Sequence, residues 1–243
     1  VLVIALDTST PTVTAAVVEL LRPHELTGAA AEPVRLLAEH THTDPFAHAE
    51  YLMPLVDGAV ADAGRTLRDV DAVVVGLGPG PFTGLRVGIA TASALADGLG
   101  CEAHGVPSHD AIARRVPDRS GGLLVATDAR RREVYVSAYG PDGRRTFGPA
   151  VLAPAVVGGE LAAAGIAVGA VTGAGAELLA TALPDLPFRS PERALGLGLV
   201  ERAAPALLTG AVPGPLTPLY LRRPDATEPS ARRSVLGPAG PAR

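Results

Sequence analysis

The sequence predicts an α/β fold built in two halves, and three observations carry that expectation. Short apolar runs alternate with helical stretches along the first half, the order that folds into a sheet flanked by helices. A strand, an acid, a turn and a second strand occur near the start and again after Leu123, with Asp7 and Val13 at the same separation as Asp128 and Val134. A glycine- and proline-rich loop, Gly76 to Gly88, joins a buried run to a helix start.

In the first half, Val1 to Leu6 is apolar and ends at Asp7, too short and too early in charge for a signal peptide, so it reads as a buried strand. Asp7 to Pro11 is a polar turn, and Thr12 to Val18 alternates with period two as the returning strand. Leu21 to Pro33 reads as loop and Val34 to His40 as a third strand. Thr43, Asp44 and Pro45 then mark a helix start, with Asp44 as cap and Pro45 in the first turn. That helix runs to about Ala63, with Tyr51, Leu52, Leu55, Val56, Ala59 and Val60 on one apolar stripe and a bend expected at Pro54. Val70 to Leu77 is continuous enough for a central strand, and a second helix is expected from Thr83 to Asp97.

In the second half, Ser108 is placed to cap a short helix, and strands are expected at Leu123 to Thr127, Arg132 to Tyr139 and Ala167 to Thr172. Helices are expected at Ala174 to Ala182 and Glu192 to Leu208, with a last extended piece at Leu216 to Arg222. The lobes divide as residues 1–105 and 106–222. The tail, 223–243, is rich in Pro, Ala, Ser and Arg and reads as disordered.

Composition narrows the function classes. The 243 residues carry 21 basic and 25 acidic side chains, a net charge of -4, and no tryptophan, so a broad basic face or an aromatic platform for tight nucleic-acid binding is disfavoured. Hydrophobic residues make up 47% but aromatics only 3%, so Ala, Val and Leu must build the core. The lone Cys101 cannot form an internal disulfide, which suits a reducing cytoplasm. The uncharged stretch Leu161 to Ala176 is too short to span a bilayer.

Few residues are arranged for chemistry. The Gly76–Gly88 loop matches neither G-x-G-x-x-G nor a Walker loop, the latter excluded because every basic residue is arginine. Its junction with a helix either holds an anion or makes a rigid turn capped by Thr83. Gly84, Gly88 and Ala92 form a smooth strip on that helix, open to close approach by a partner or by the chain's own sheet. Asp7, Thr8, Ser9 and Thr10 form either a phosphate- or water-binding hairpin mouth or a self-satisfied turn. At the equivalent Asp128, Arg130, Arg131 and Arg132 crowd out a second phosphate cradle and read as a solvated or tRNA-facing patch. His40 and His42 alternate on a strand without an evident carboxylate partner, and no H-E-x-x-H is present.

Five stretches resemble the bacterial TsaB proteins, also called YeaZ. They are V-I-A-L-D-T-S-T from Val3, H-A-E-Y-L-M-P-L from His48, G-P-G-P-F-T-G-L-R-V-G-I-A-T-A from Gly78, D-A-R-R-R-E-V-Y from Asp128, and P-L-Y-L-R from Pro218. The resemblance implies a two-lobed fold of the actin-like ATPase and sugar-kinase superfamily, made of duplicated ribonuclease-H-like domains. It implies a non-catalytic subunit that dimerises with TsaD, the larger metal-holding paralogue, in making threonylcarbamoyladenosine at position 37 of tRNA, with the TsaE ATPase in a larger complex. Contact with tRNA would come only through the complex, and a homodimer would form when the chain is alone. Neither a metal nor a required cofactor is implied. Weak ATP or ADP binding at a subunit interface is the one cofactor candidate, with Asp7, Thr8, Ser9, Gly78, Gly80 and Thr83 as its contacts.

The family's pairing surface maps onto the two predicted helices. It falls on Leu52, Leu55, Val56 and Ala59 of the first and on Gly84, Leu85, Arg86, Gly88, Ile89 and Ala92 of the second. Pro81 stands where the family commonly has serine, so any phosphate contact there must come from backbone. Two other readings remain: an ATP-dependent small-molecule kinase or ATPase using Asp7, and a weak nucleotide-binding regulator using Thr172 to Gly175.

Overall fold

The protein is described by a computed structural model covering residues 1–27, 32–44 and 48–222. The anticipated tail, 223–243, and the expected first helical turn at Pro45 lie outside the described residues. The elements are β1 (Leu2–Asp7), β2 (Thr12–Leu20), β3 (Val34–Thr43), α1 (His48–Asp62), β4 (Ala72–Gly76), α2 (Phe82–Leu99) and β5 (Glu102–Val106). There follow α3 (Ser108–Arg114), β6 (Leu123–Asp128), β7 (Val134–Tyr139), β8 (Arg145–Leu152), α4 (Pro154–Ala163), β9 (Ala170–Thr172), β10 (Phe188–Arg189) and α5 (Gly196–Thr209).

The duplication is visible strand for strand. The first sheet has the order β3-β2-β1-β4-β5 and the second, read in the same sense, β8-β7-β6-β9-β10. In each, the first three strands in chain order pair antiparallel and the last two add in parallel. Asp7 faces Thr14 and Asp128 faces Val134 at the mouths of the two equivalent hairpins. This is a mixed α/β architecture of two five-stranded sheets with matching strand order.

Three cores follow from strand alternation. Leu2, Ile4 and Leu6 point to one face of the first sheet, where they meet Leu52, Val56 and Ala59 of α1 and Ala92 and Ala96 of α2. Val3 and Ala5 point to the other face, into a central core shared with Ile112 of α3, Leu123 and Val125 of β6, and Leu199 and Val200 of α5. The outer face of the second sheet, with Leu124, Ala126 and Val136, packs on Val157 and Leu161 of α4. Helix α5 therefore belongs to the second half in sequence while packing on the first sheet. Its N-terminus is held there by Glu39 Oε2, which accepts the Gly196 N-H at 2.8 Å.

Several expectations need correction. The stretch Ala174 to Ala182 holds only a 3-10 turn, Ala176–Leu179, because Gly173 and Gly175 press against β6 and leave no room for a full helix start. Pro81 rather than Thr83 stands at the N-cap of α2, with no side-chain capping bond, and Thr83 sits exposed in the first turn. Ser108 opens α3 but its hydroxyl is spent on Asp7 rather than on the helix. Strands β5 and β8 and helix α4 carry no clear periodic signal and emerge only with the sheet around them. Pro54 lies inside α1, which continues through it. No helix of the described residues is long and apolar enough to cross a membrane.

Candidate functional site

The predicted phosphate cradle closes on itself. Asp7 ends β1 with its side chain buried; Oδ1 accepts the Ser9 N-H at 2.9 Å and the Ser9 hydroxyl at 2.6 Å, while Oδ2 accepts the Ser108 hydroxyl at 2.5 Å. Ser108 Oγ in turn accepts the Gly78 N-H at 3.1 Å, and the Ser108 N-H donates to Gly78 O at 2.8 Å. Burial pushes the Asp7 carboxyl above the usual carboxylate range, and the hydrogen bonds from Ser108 and Ser9 oppose that shift.

The glycines around this knot are there for contact. A side chain at Gly76 would meet Asp7 Oδ2 at 1.8 Å, and one at Gly80 would meet Ser9 O at 2.3 Å. Gly78 adopts φ +91°, a conformation glycine alone enters cheaply. Asp7, Thr8, Ser9, Gly78 and Gly80 are thus brought together as a buried joint among hairpin, loop and α3 rather than as an open anion site. Thr83 stands apart from them on the surface.

The smooth strip on α2 also faces inward. A side chain at Gly84 would lie 2.6 Å from Thr8 O, and one at Gly88 2.3 Å from Thr8 Oγ1; that hydroxyl itself donates to Gly84 O at 2.8 Å. Leu52, Val56, Ala59, Leu85 and Ala92 are buried in the core, each no more than 1% exposed. Together with Gly84 and Gly88 they are withdrawn from the outer surface, a correction to the predicted interface caused by the small residues letting α2 settle onto the β1–β2 turn. Of the predicted residues, Arg86 is exposed and Leu55 and Ile89 are half-buried, joined by Tyr51 on α1 and Val87 on α2. This is an apolar outer face carried by two adjacent helices.

A second feature lies where the halves meet. Gly80 to Phe82, the turn Asp128 to Arg131, Tyr135 and the closing residues Tyr220 to Arg222 line a cleft of about 190 Å3. The second hairpin differs from the first: Asp128 is half-buried and its Oδ1 accepts the Arg130 N-H at 2.7 Å, while Arg130, Arg131 and Arg132 have φ of 64°, 52° and 60°. Three successive left-handed residues without glycine form a strained turn. Tyr220 packs on Phe82 with ring centroids 4.5 Å apart, and Arg86 lies 3.7 Å over the Phe82 ring while its Nε donates to the Tyr220 hydroxyl at 3.1 Å. Arg222 reaches across to Glu133. The family-like P-L-Y-L-R segment is thereby a strap over the cleft, a role that no local sequence signal announces.

The remaining candidates resolve individually. His40 does have a carboxylate partner, Asp62 Oδ2 at 2.7 Å, and His42 stacks on Tyr51, so the pair is not aimed at a shared ion. His48 Nε2 bonds Thr10 O at 2.8 Å. His109 is fully buried with Ser137 and Thr127 hydroxyls 2.9 Å from its two ring nitrogens; burial first, and Arg145 second, bring its pKa down to about 3. Burial raises the Cys101 thiol. Thr172 donates to Pro191 O at 2.6 Å, inside the second half. Among the described residues no group of three or more His, Cys, Asp or Glu is placed to hold a metal.

Comparison with known proteins gives a consistent set of relatives. Residues 36–182 match the family described as TsaD: tRNA N6-adenosine threonylcarbamoyltransferase. An uncharacterized protein of Mycobacterium tuberculosis is 48% identical over 92% of this chain and 93% of its own length. The tRNA threonylcarbamoyladenosine biosynthesis protein TsaB of Escherichia coli is 35% identical over 49% of this chain and 54% of its own. The structure of YeaZ from Pseudomonas aeruginosa superimposes with a TM-score of 0.68 at 27% identity, covering 90% of this chain and all of that one.

Proposed function

From the premise that the chain belongs to the TsaB (YeaZ) family, we propose that it acts as a non-catalytic cytoplasmic subunit paired with a TsaD-type transferase. The family places it in threonylcarbamoyladenosine modification of tRNA. The observation that carries the subunit reading is the outer face of α1 and α2. There Tyr51, Leu55, Val87 and Ile89 stay partly exposed after the sheet has taken Leu52, Val56 and Ala92 and Leu85 has turned in against the Gly78 loop. An apolar face of this kind, with Arg86 at its edge, suits a partner of the same fold, or a second copy when that partner is absent. The commitment of both Asp7 oxygens to internal donors supports a scaffold over a kinase or ATPase that would use this acid on a nucleotide.

The test is light scattering on a size-exclusion column, with the chain alone and mixed with the TsaD protein of the same organism. A species at the summed mass that is lost in Ile89→Arg is the expected result. Separate elution of the two wild-type proteins across salt and nucleotide conditions overturns the pairing. ATP turnover lost in Asp7→Ala would revive the enzymatic reading.

A further inference from the structure

On the second half, the end of α3, the turn between β7 and β8 and one side of α5 surround a cavity of about 630 Å3. Arg114, Arg119, Arg144, Arg145 and Arg202 line it, against the carboxylates Asp110, Asp142 and Glu201. Acidic residues outnumber basic ones in the chain as a whole, so this local surplus of positive charge does not follow from composition.

The carboxylates are already engaged. Asp110, buried at the floor, accepts the Tyr139 hydroxyl at 2.7 Å through Oδ1 and pairs with Arg145 Nε at 3.4 Å and Arg202 Nε at 3.5 Å. Glu201 is shared by Arg114 and Arg115, at 3.3 and 2.5 Å. Asp142 Oδ1 accepts the Arg144 N-H at 2.9 Å and shapes the turn. Among the described residues the Arg144 side chain has no ion pair.

Arg119 is held through one of its terminal nitrogens. Its Nη1 donates to Ala113 O and Val116 O, each at 2.8 Å, and to Arg114 O at 3.3 Å, closing the C-terminus of α3. Its Nε is buried without a hydrogen-bond partner. Shut off from solvent, Nε is closed to a ligand; Nη2, which is not among the buried unpartnered atoms, is the group of this guanidinium left to donate to an oxyanion. Gly143, at φ +77°, passes beside it; a Cβ there would lie 3.7 Å from Nη2 and 3.8 Å from Nε, so the turn meets the guanidinium with bare backbone.

We infer that this cavity binds phosphate groups, with Arg119 and Arg144 as the principal contacts and the Asp110 network holding Arg145 and Arg202 in place. Its one aromatic ring, Tyr139, is 2% exposed and offers no surface for stacking a base, so phosphate rather than base is recognised. An RNA backbone or a free phosphate compound supplies the same chemistry. Only the RNA source rests on the tRNA-modification role proposed above.

The test titrates the full chain, without TsaD, with a labelled tRNA transcript and separately with inorganic diphosphate. Wild type is compared with Arg144→Glu, with Arg144→Ala, and with Arg68→Glu on the other half as control; Arg119 is kept because it closes α3. Affinity for at least one ligand falls about tenfold in both cavity variants at unchanged unfolding temperature and is unaltered in the control. tRNA binding displaced by diphosphate assigns the RNA backbone, and diphosphate binding alone assigns a free phosphate compound; either supports the site. Wild-type protein that binds neither ligand, or binding untouched by both cavity variants, overturns it, whatever the pairing measurement gives.

Discussion

The Ser108 hydroxyl donates to Asp7 Oδ2 at 2.5 Å across 101 residues of sequence, tying the first hairpin to the start of the second half. Ser108→Ala leaves a buried carboxylate short of one donor and is expected to cost about 1.5 to 3 kcal/mol in urea unfolding at neutral pH. The pH dependence has a defined sign. The folded Asp7 pKa is raised above the unfolded value of about 3.9, so the native state binds the proton more tightly. Its contribution is full below that value and declines as pH rises through the folded pKa. In Asp7→Asn this decline should be missing from stability measured as pH is raised above the unfolded value.

His109 acts in the opposite sense. Its folded pKa of about 3 lies below the unfolded value near 6.5, so the unfolded chain binds more protons between the two. The stability it contributes is present above pH 6.5 and is lost as pH falls toward 3. His109→Gln should flatten that acid limb of the wild-type curve; an unchanged limb would mean that other groups govern it.

Glycines of α2 are predicted to divide by what a Cβ would meet. Gly84→Ala, which forces a methyl against Thr8 O, should destabilise by about 1 to 3 kcal/mol. Gly98→Ala, in the same helix with open space around it, should stabilise by up to about 1 kcal/mol. Thermal unfolding of both variants reads the contrast, and equal effects would place the cost in helix propensity alone.

Glu39 caps a helix that begins 157 residues later. Leu195, the residue at the α5 N-cap, has no capping side chain, so the Glu39 carboxylate supplies both an acceptor and a favourable charge at the dipole's positive end. Glu39→Ala should cost about 1 to 2 kcal/mol by urea unfolding, with Glu39→Gln recovering part of it.

The corrected helix face separates pairing from folding. Leu52→Ala opens a cavity in the first core and should cost about 2 to 5 kcal/mol. Leu55→Asp, on a half-buried position, should leave a folded chain by circular dichroism and abolish the proposed pairing with a TsaD-type protein. If Leu55→Asp also unfolds the protein, the outer face belongs to the core and the interface lies elsewhere.

Much of the architecture was legible in the residues, for reasons of period and punctuation. Val3 to Leu6, Val73 to Val75 and Leu123 to Ala126 are apolar runs short enough, and closely enough bounded by turn residues, to read as buried strands, and the two acid-bearing hairpins announced the duplication. The stripe on α1 and the glycines of α2 marked both helices as closely packed. What they pack against was not legible, because a smooth strip reads alike whether a partner or Thr8 fills it. Only the tertiary structure decided that Asp7 would spend its oxygens on Ser9 and Ser108, that Glu39 would cap α5, and that five arginines from separate segments would line one cavity. Local sequence sets which backbone conformations are cheap. The partners of a buried polar group are chosen by the three-dimensional neighbourhood in which it must find a hydrogen bond.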